Sequence, residues 1–163
     1  MKSGSNKESV VSKIEKYFTG ILLLVITFLL FINVILRRMG MSIEWAEEFA
    51  RYGIVWVTFI GSSICIYKGS HIAVDAILML LNDKNKKILN IITLVISIIF
   101  IAFFTIYATK LTHKVYVTKQ VSATLEVSMA YIYGAMPVGG VLMLIRYLQQ
   151  LCQLINEMRG ESQ

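Results

Sequence analysis

Acidic and basic side chains of this 163-residue chain gather in one short stretch between two apolar segments. Arg37 and Arg38 end the first segment, and Glu44, Glu47 and Glu48 open the second. Charges that are partly removed from water need partners, because an unpaired one is costly to bury. We therefore expect Arg37 or Arg38 to pair with Glu47 or Glu48. Such a clamp would hold the second segment against the first or against a partner protein; a solvated charged hairpin is the alternative.

Other residue types that could do chemistry are few and badly spaced for it. The two histidines, His71 and His113, are predicted to lie at opposite faces of the membrane, so they cannot share one haem. Cys65 and Cys152 lack the spacing of a metal site or a disulfide framework. Neither a catalytic triad nor a phosphate-binding loop is present in the sequence. The sequence predicts no enzyme, no cofactor and no metal site.

The composition is typical of an integral membrane protein. Hydrophobic residues make up 56% of the chain and charged residues 16%, with a mean hydropathy of +0.68. Soluble domains carry more charge than this. The net charge of +6 is spread along the ends of apolar segments, whereas phosphate recognition needs a concentrated basic surface. We expect membrane lipids as a partner of the lysines, and no nucleic acid.

The apolar runs predict an all-α integral membrane protein with one four-helix membrane domain over residues 1–163. A helix of about 20 residues is long enough to cross the apolar part of a bilayer. Amphipathic spacing further predicts a short interfacial helix over residues 71–82. The expected spans are residues 18–38, 45–67, 88–109 and 127–148.

Helix signals refine two of these spans. Ser42 is a suitable N-cap for the second, and acids in its first turn suit the helix dipole. In the fourth, a proline between small residues predicts a helix kink and lets a neighbouring helix pack closely. The residues are Gly134, Pro137 and Gly139, and ordinary helix packing without a hinge is the alternative. Lysines and arginines are more numerous on the side that holds the termini, which predicts that both termini are cytoplasmic.

Several motifs follow one another along the chain. They are Asn33-Val-x-x-Arg37-Arg38, Ser42-Ile-x-Trp45-Ala-Glu47-Glu48-x-Ala-Arg51-Tyr52, Trp56-x-x-Phe59-Ile-Gly61, Gly69-x-His71-Ile-x-Val-Asp75 and Tyr131-x-Tyr133-Gly-Ala-Met-Pro137-Val-Gly139. In these motifs the chain resembles the small permease subunit of the tripartite ATP-independent periplasmic (TRAP) transporters, often called DctQ. The resemblance extends from Tyr17 to about Leu148.

This resemblance implies a multi-pass protein of the bacterial inner membrane that works with two partners. A periplasmic binding protein would deliver a carboxylate, such as a C4-dicarboxylate or sialic acid, to a large sodium-driven permease subunit. The small subunit would enlarge the stationary scaffold of that permease. The resemblance assigns to assembly and helix orientation the residues Arg37, Arg38, Trp45, Glu47, Glu48, Arg51, Trp56, Gly61, His71 and Asp75.

Two other functions remain open at the level of sequence. A self-sufficient small transporter or channel, acting as a homo-oligomer, would need a polar pathway through the spans. The candidates for such a pathway are Asn33, Thr58, Ser62, Ser63, Asn90, Thr93 and Ser97. A membrane anchor of a redox complex is the other alternative, and the positions of the histidines speak against it.

Overall fold

The helices seen in a computed structural model confirm the all-α class with four membrane spans. The structure describes residues 10–67 and 83–160. The helices in these residues are α1 (Val10–Arg38), α2 (Glu44–Tyr67), α3 (Asp83–Val117), α4 (Met129–Tyr133) and α5 (Ala135–Gly160). Four stretches are long and apolar enough to cross a membrane, namely Ser12–Arg38, Glu44–Ile66, Ile88–Val117 and Met129–Asn156. The predicted interfacial helix over 71–82, with His71 and Asp75, lies outside the described residues.

The helices are longer than the apolar runs that predict them. Helix α1 begins at Val10, well ahead of residue 18, and α3 continues to Val117, past residue 109. Backbone hydrogen bonding propagates a helix one residue at a time and does not depend on an apolar surface. Hydropathy therefore locates the part of each helix that suits lipid, and the polar turns beyond it stay helical.

The four spans lie in the order α1, α2, α5, α3. Helix α2 packs against α1 on one side and α5 on the other, and α5 packs against α3. Within the described residues, α1 packs extensively against α2 alone. We call the membrane side with the α1–α2 turn (residues 39–43) the connection face, and the side where α1 begins and α5 ends the terminal face.

The apolar core lies where α2, α5 and α3 meet. Its buried members come from all three helices and are Ile66, Leu94, Ile101, Met143 and Tyr147. Many other large apolar side chains are exposed, above all on α1, where only 11% of the most apolar window is buried. A membrane protein can leave such side chains exposed because lipid tails are as apolar as they are.

Two adjacent glycines let α5 lie close to both of its neighbours. A Cβ atom on Gly139 would lie 2.6 Å from the Cβ of Phe59 in α2, and one on Gly140 would overlap Oγ1 of Thr105 in α3. Phe59 also stacks on Phe104 of α3, with ring centroids 5.8 Å apart. Small residues at helix contacts let backbones approach closely in membranes. Here Gly139 allows the close approach to α2 and Gly140 the close approach to α3.

The fourth span is interrupted at Gly134, which separates α4 from α5. Pro137 lies in the first turn of α5 and has no N–H, so it cannot donate to the carbonyl of Tyr133 four residues earlier. Thr112 of α3 lies with its Oγ1 3.1 Å from that carbonyl oxygen and 2.9 Å from the carbonyl oxygen of Ala108. The threonine has one hydroxyl proton, which both carbonyls share. A neighbouring helix thus satisfies the carbonyl that the proline leaves free.

Candidate functional site

The end of α1 turns the chain toward α2 on the connection face. The carbonyl of Leu36 accepts a hydrogen bond from the N–H of Met41 at 3.0 Å, and that of Arg37 accepts from the N–H of Gly40 at 3.2 Å. Gly40 has φ 79°, the left-handed conformation that favours glycine at a helix end. These two bonds form a Schellman motif, which leaves Arg37 in the last turn of α1, directly beside the start of α2.

Asn33 joins the two helices at this turn. Its side chain is buried on α1, and Oδ1 accepts a hydrogen bond from the N–H of Ile43 at 2.8 Å. Ile43 directly precedes α2, whose first amides have no partners within the helix. The sequence suggests Ser42 as the cap, but the structure supplies this acceptor from the neighbouring helix. The sequence analysis considered Asn33 as part of a motif and as a candidate for a polar pathway, but not as a contact between the two helices.

One of the predicted ion pairs forms across the turn. Arg37 Nη1 lies 3.2 Å from Glu47 Oε1, and the two side chains are 72% and 59% exposed. Arg38 and Arg51 are also exposed and, within residues 10–67 and 83–160, neither pairs with a carboxylate. Trp45 packs edge-on against Phe49 within α2. The predicted clamp therefore consists of one solvated pair at this end of the molecule.

Glu48 has different partners from those considered in the sequence. Its Oε2 accepts hydrogen bonds from the backbone N–H groups of Thr124 and Leu125, both at 2.9 Å, and its Oε1 accepts from the hydroxyl of Tyr52. Two consecutive backbone N–H groups form a small site for an anion. Glu48 supplies that anion and ties α2 to a segment 76 residues further along the chain.

The segment that Glu48 holds is a short hairpin, residues 120–129, between α3 and α4. The N–H of Ser122 donates to the carbonyl of Val127, and the N–H of Met129 donates to that of Gln120, each at 2.9 Å. Glu126 has φ 52° at the turn. The hairpin lies over the start of α2, so the connection face has a surface built from α1, α2 and this hairpin.

The remaining predicted residues of α2 face α1. An apolar cavity of about 400 Å³ lies beside Trp56, between α1, α2 and the hairpin. A Cβ atom on Gly61 would only touch Thr19 at 4.0 Å, whereas one on Gly53 would lie 2.5 Å from Cδ1 of Ile26. Of these two glycines, Gly53 is therefore the one that packs closely against α1, and the sequence analysis did not select it.

The terminal face carries a buried ion pair that the sequence analysis missed. Arg146 Nη2 of α5 lies 3.2 Å from Glu15 Oε2 of α1, and the side chains are only 4% and 6% exposed. Gln150 of α5 donates from Nε2 to the carbonyl of Ile66, near the end of α2. The signal in the sequence is a single arginine inside the apolar run of the fourth span. The sequence alone does not identify its partner.

The charged side chains that hold elements together form two groups, one on the connection face and one toward the terminal face. Among the residues that the structure describes, no three histidine, cysteine, aspartate or glutamate side chains gather as possible metal ligands. The group on the connection face consists of the exposed Arg37–Glu47 pair and the Glu48 anchor, and the group toward the terminal face consists of Glu15 and Arg146. What this arrangement can do is hold helices and a hairpin in fixed positions.

Four spans in a row, held by an exposed charged group on the connection face and a buried ion pair toward the terminal face, define a small multi-pass α-helical membrane protein. The family described as "Tripartite ATP-independent periplasmic transporters, DctQ component" matches residues 26–157. The chain belongs to this DctQ family. It is therefore a component of a transporter and not an enzyme, and it is a multi-pass protein of the bacterial inner membrane.

Three curated relatives agree with the family. The chain is 28% identical to the sialic acid TRAP transporter permease protein SiaT of Haemophilus influenzae, over 93% of this chain and 24% of SiaT. It is 24% identical to the C4-dicarboxylate TRAP transporter small permease protein DctQ of Rhodobacter capsulatus, over 68% of this chain and 48% of that protein. A TRAP transporter small permease protein of Haemophilus influenzae is 31% identical, over 85% of this chain and 87% of that protein. The chain thus spans about a quarter of SiaT and about half of DctQ.

Proposed function

We propose that this chain is the small subunit of a sodium-driven TRAP transporter that imports a carboxylate, sialic acid or a C4-dicarboxylate. A periplasmic protein would bind the substrate and deliver it to a large permease subunit. This chain would stabilise the large subunit as part of its stationary scaffold. The proposal is supported by the family and by the names of the relatives, one a sialic acid permease and one a C4-dicarboxylate permease.

The hydroxyl groups within the spans favour a scaffold over a self-sufficient channel. Thr58 donates to the carbonyl of Ile54 and Ser62 to that of Thr58, both at 2.8 Å, and Thr93 donates to that of Leu89 at 2.9 Å. A polar pathway needs groups that are free to replace the hydration of a solute. The hydroxyl protons of Thr58, Ser62 and Thr93 are directed to carbonyls of their own helices, and this observation supports the choice of a scaffold.

The shape of the molecule also suits a subunit that needs neighbours in the bilayer. A row of helices has two broad sides, and large apolar side chains cover them. Those of α1 that are more than half exposed are Ile14, Tyr17, Ile21, Leu24, Phe28, Phe31 and Val34. Lipid covers part of this surface in the bilayer, and the large subunit would cover the rest.

The connection face would then lie in the periplasm, with both termini in the cytoplasm. Under this proposal Arg37, Arg38, Trp45, Glu47, Glu48 and Arg51 fix the helices and the hairpin that meet the partners. Trp56 and Gly61, with His71 and Asp75 in the undescribed segment, would help orient the same helices. In the fourth span, a kink and close helix packing would have the same role, and the residues responsible would be Gly134, Pro137 and Gly139.

Reconstitution into proteoliposomes tests the proposal. We expect uptake of labelled sialic acid or succinate only when this chain, the large permease subunit and the loaded binding protein are all present under an inward sodium gradient. Replacing that gradient with potassium should abolish uptake. Uptake by liposomes that contain this chain alone would overturn the proposal, as would failure of the chain to co-purify with the large subunit.

A further inference from the structure

A groove runs along α3 near the connection face, on the side away from the Arg37–Glu47 pair. It consists of two adjoining cavities of about 610 and 420 Å³, which share Thr109 and His113 as lining residues. The first lies along α3 itself. The second lies between α3 and the start of the fourth span, where Pro137 lines it. The groove is separate from the residues that the family resemblance assigns to assembly.

The end of the groove that points into the membrane is apolar. Ile106 lines it and is 54% exposed. Thr105 and Thr109 also line it, but their hydroxyls donate to the carbonyls of Ile101 and Thr105, at 2.7 and 2.8 Å. With those protons used within α3, the two threonines offer the groove chiefly their methyl groups. This end suits a hydrocarbon chain.

The other end of the groove is cationic and rich in hydroxyl groups. Lys110 and His113 line it three residues apart on α3, and Tyr116 and Tyr131 line the adjoining cavity. The two tyrosines are 69% and 73% exposed. Lys110 holds its Nζ 5.4 Å from the ring centroid of Tyr107, which keeps the cation at the surface of α3. Among the described residues that line either cavity, none is acidic.

The depth of the groove decides between possible ligands. The apolar run of α3 ends near residue 109, while the helix continues to Val117, so Lys110 and His113 lie in the first polar turn beyond the apolar run. This is where the headgroups of a bilayer meet its hydrocarbon region, and basic side chains there attract anionic lipids. A soluble carboxylate would leave the apolar end empty, whereas a lipid would fill both ends.

We propose that this groove binds one anionic glycerophospholipid from the bilayer. Its phosphate lies at Lys110 and His113, its glycerol region lies near Tyr131, and one acyl chain lies along Ile106. The site requires only that α3 cross the membrane, so it stands apart from the transport function proposed above. It would also place a lipid against Pro137, at the break between α4 and α5.

Native mass spectrometry of the purified, delipidated full chain tests this site. Phosphatidylglycerol is added in steps, with phosphatidylcholine as the zwitterionic comparison. We expect one tightly held phosphatidylglycerol per chain and weaker binding of phosphatidylcholine. The variant Lys110→Gln with His113→Gln should weaken phosphatidylglycerol binding at least roughly fivefold, since one cation near a membrane surface contributes about that factor.

Lys114→Gln is the matched control. It removes one positive charge from an exposed position on the same helix, but Lys114 does not line the groove. We expect it to change binding less than twofold. Equal loss in the control and in the double variant would overturn the site, because it would show a general charge effect. Equal binding of the two lipids to the unmodified chain would overturn it as well.

Discussion

Helix α1 carries an ion pair at each end, and the two pairs have the same length and opposite surroundings. Arg37–Glu47 on the connection face and Glu15–Arg146 on the terminal face both measure 3.2 Å between nitrogen and oxygen. The first pair is more than half exposed and the second almost fully buried. Distance alone would rank them as equal. Burial is what separates a pair that water can replace from one that it cannot.

The difference has a direct energetic meaning. An exposed pair is worth about 0–1 kcal/mol, because water and salt screen it and two flexible side chains lose freedom. Removing one partner of a buried pair costs about 3–5 kcal/mol, because the other charge stays in a medium that cannot solvate it. The buried pair also joins α1 to α5, two helices that otherwise pack little against each other in the described residues.

The largest effect is expected from breaking the buried pair. Arg146→Met leaves the carboxylate of Glu15 without its guanidinium, and we expect a loss of about 3–5 kcal/mol in the free energy of unfolding. Unfolding in mixed micelles, followed by circular dichroism during denaturant titration, measures it. The double variant Glu15→Met, Arg146→Met should recover most of the loss, because neither member of this pair is then left as a buried charge without the other. A double variant as unstable as the single one would show that the pair itself is not the cause.

An intermediate effect is expected at Glu48. It lies on the connection face, as the exposed pair does, but its carboxylate accepts hydrogen bonds from backbone N–H groups. Glu48→Gln keeps the shape of the side chain, but it removes the negative charge that accepts from Thr124 and Leu125 and places an NH2 group where the second oxygen accepts from Tyr52. Hydrogen bonds to a charged group contribute about 1.5–3 kcal/mol, so we expect a loss of that order. Amide hydrogen exchange should speed up in the hairpin and remain unchanged in the core around Met143. Uniform acceleration throughout the protein would contradict a local anchor.

The smallest effect is expected at the exposed pair. Arg37→Ala and Glu47→Ala should each lower stability by about 1 kcal/mol or less, and the double variant should equal the larger single effect. The loss of stability in the single variants should become smaller in 1 M salt, where charges are screened beyond about 3 Å. Arg38→Ala combined with Glu48→Ala is the control, and its effects should add, because these two residues do not pair. Losses at Arg37 that persist in high salt would contradict the solvated description.

The sequence predicts the parts of this molecule that depend on neighbours along the chain. Long apolar runs predict the four spans, whereas the kink that Gly134 and Pro137 suggest in the fourth stays a prediction. Contacts across large separations are different in kind. Glu48 is recognisable as a charged residue at a helix start, but nothing local indicates that its partners are backbone amides at residues 124 and 125. Arg146 and Glu15 likewise stand out only when the helices are placed side by side.

Selection among similar residues also required the structure. Arg37 and Arg38 are adjacent and chemically equal, yet they point to different sides of a helix, and only Arg37 reaches Glu47. Gly61 lies in a recognisable motif but has room for a side chain, whereas Gly53 does not. A helix places consecutive residues about 100° apart, so the choice depends on how α1 is rotated against α2. That rotation is a property of packing.

Helix α2 is held at both ends by amide side chains from different neighbours, Asn33 of α1 at its start and Gln150 of α5 near its finish. Its 24 residues span about 36 Å at 1.5 Å per residue. The length of α2 therefore sets how far α1 and α5 are offset along the membrane normal. It acts as a ruler. Adding or removing a single residue within it would shift one contact by about 1.5 Å and turn it by about 100°, so both could not form together.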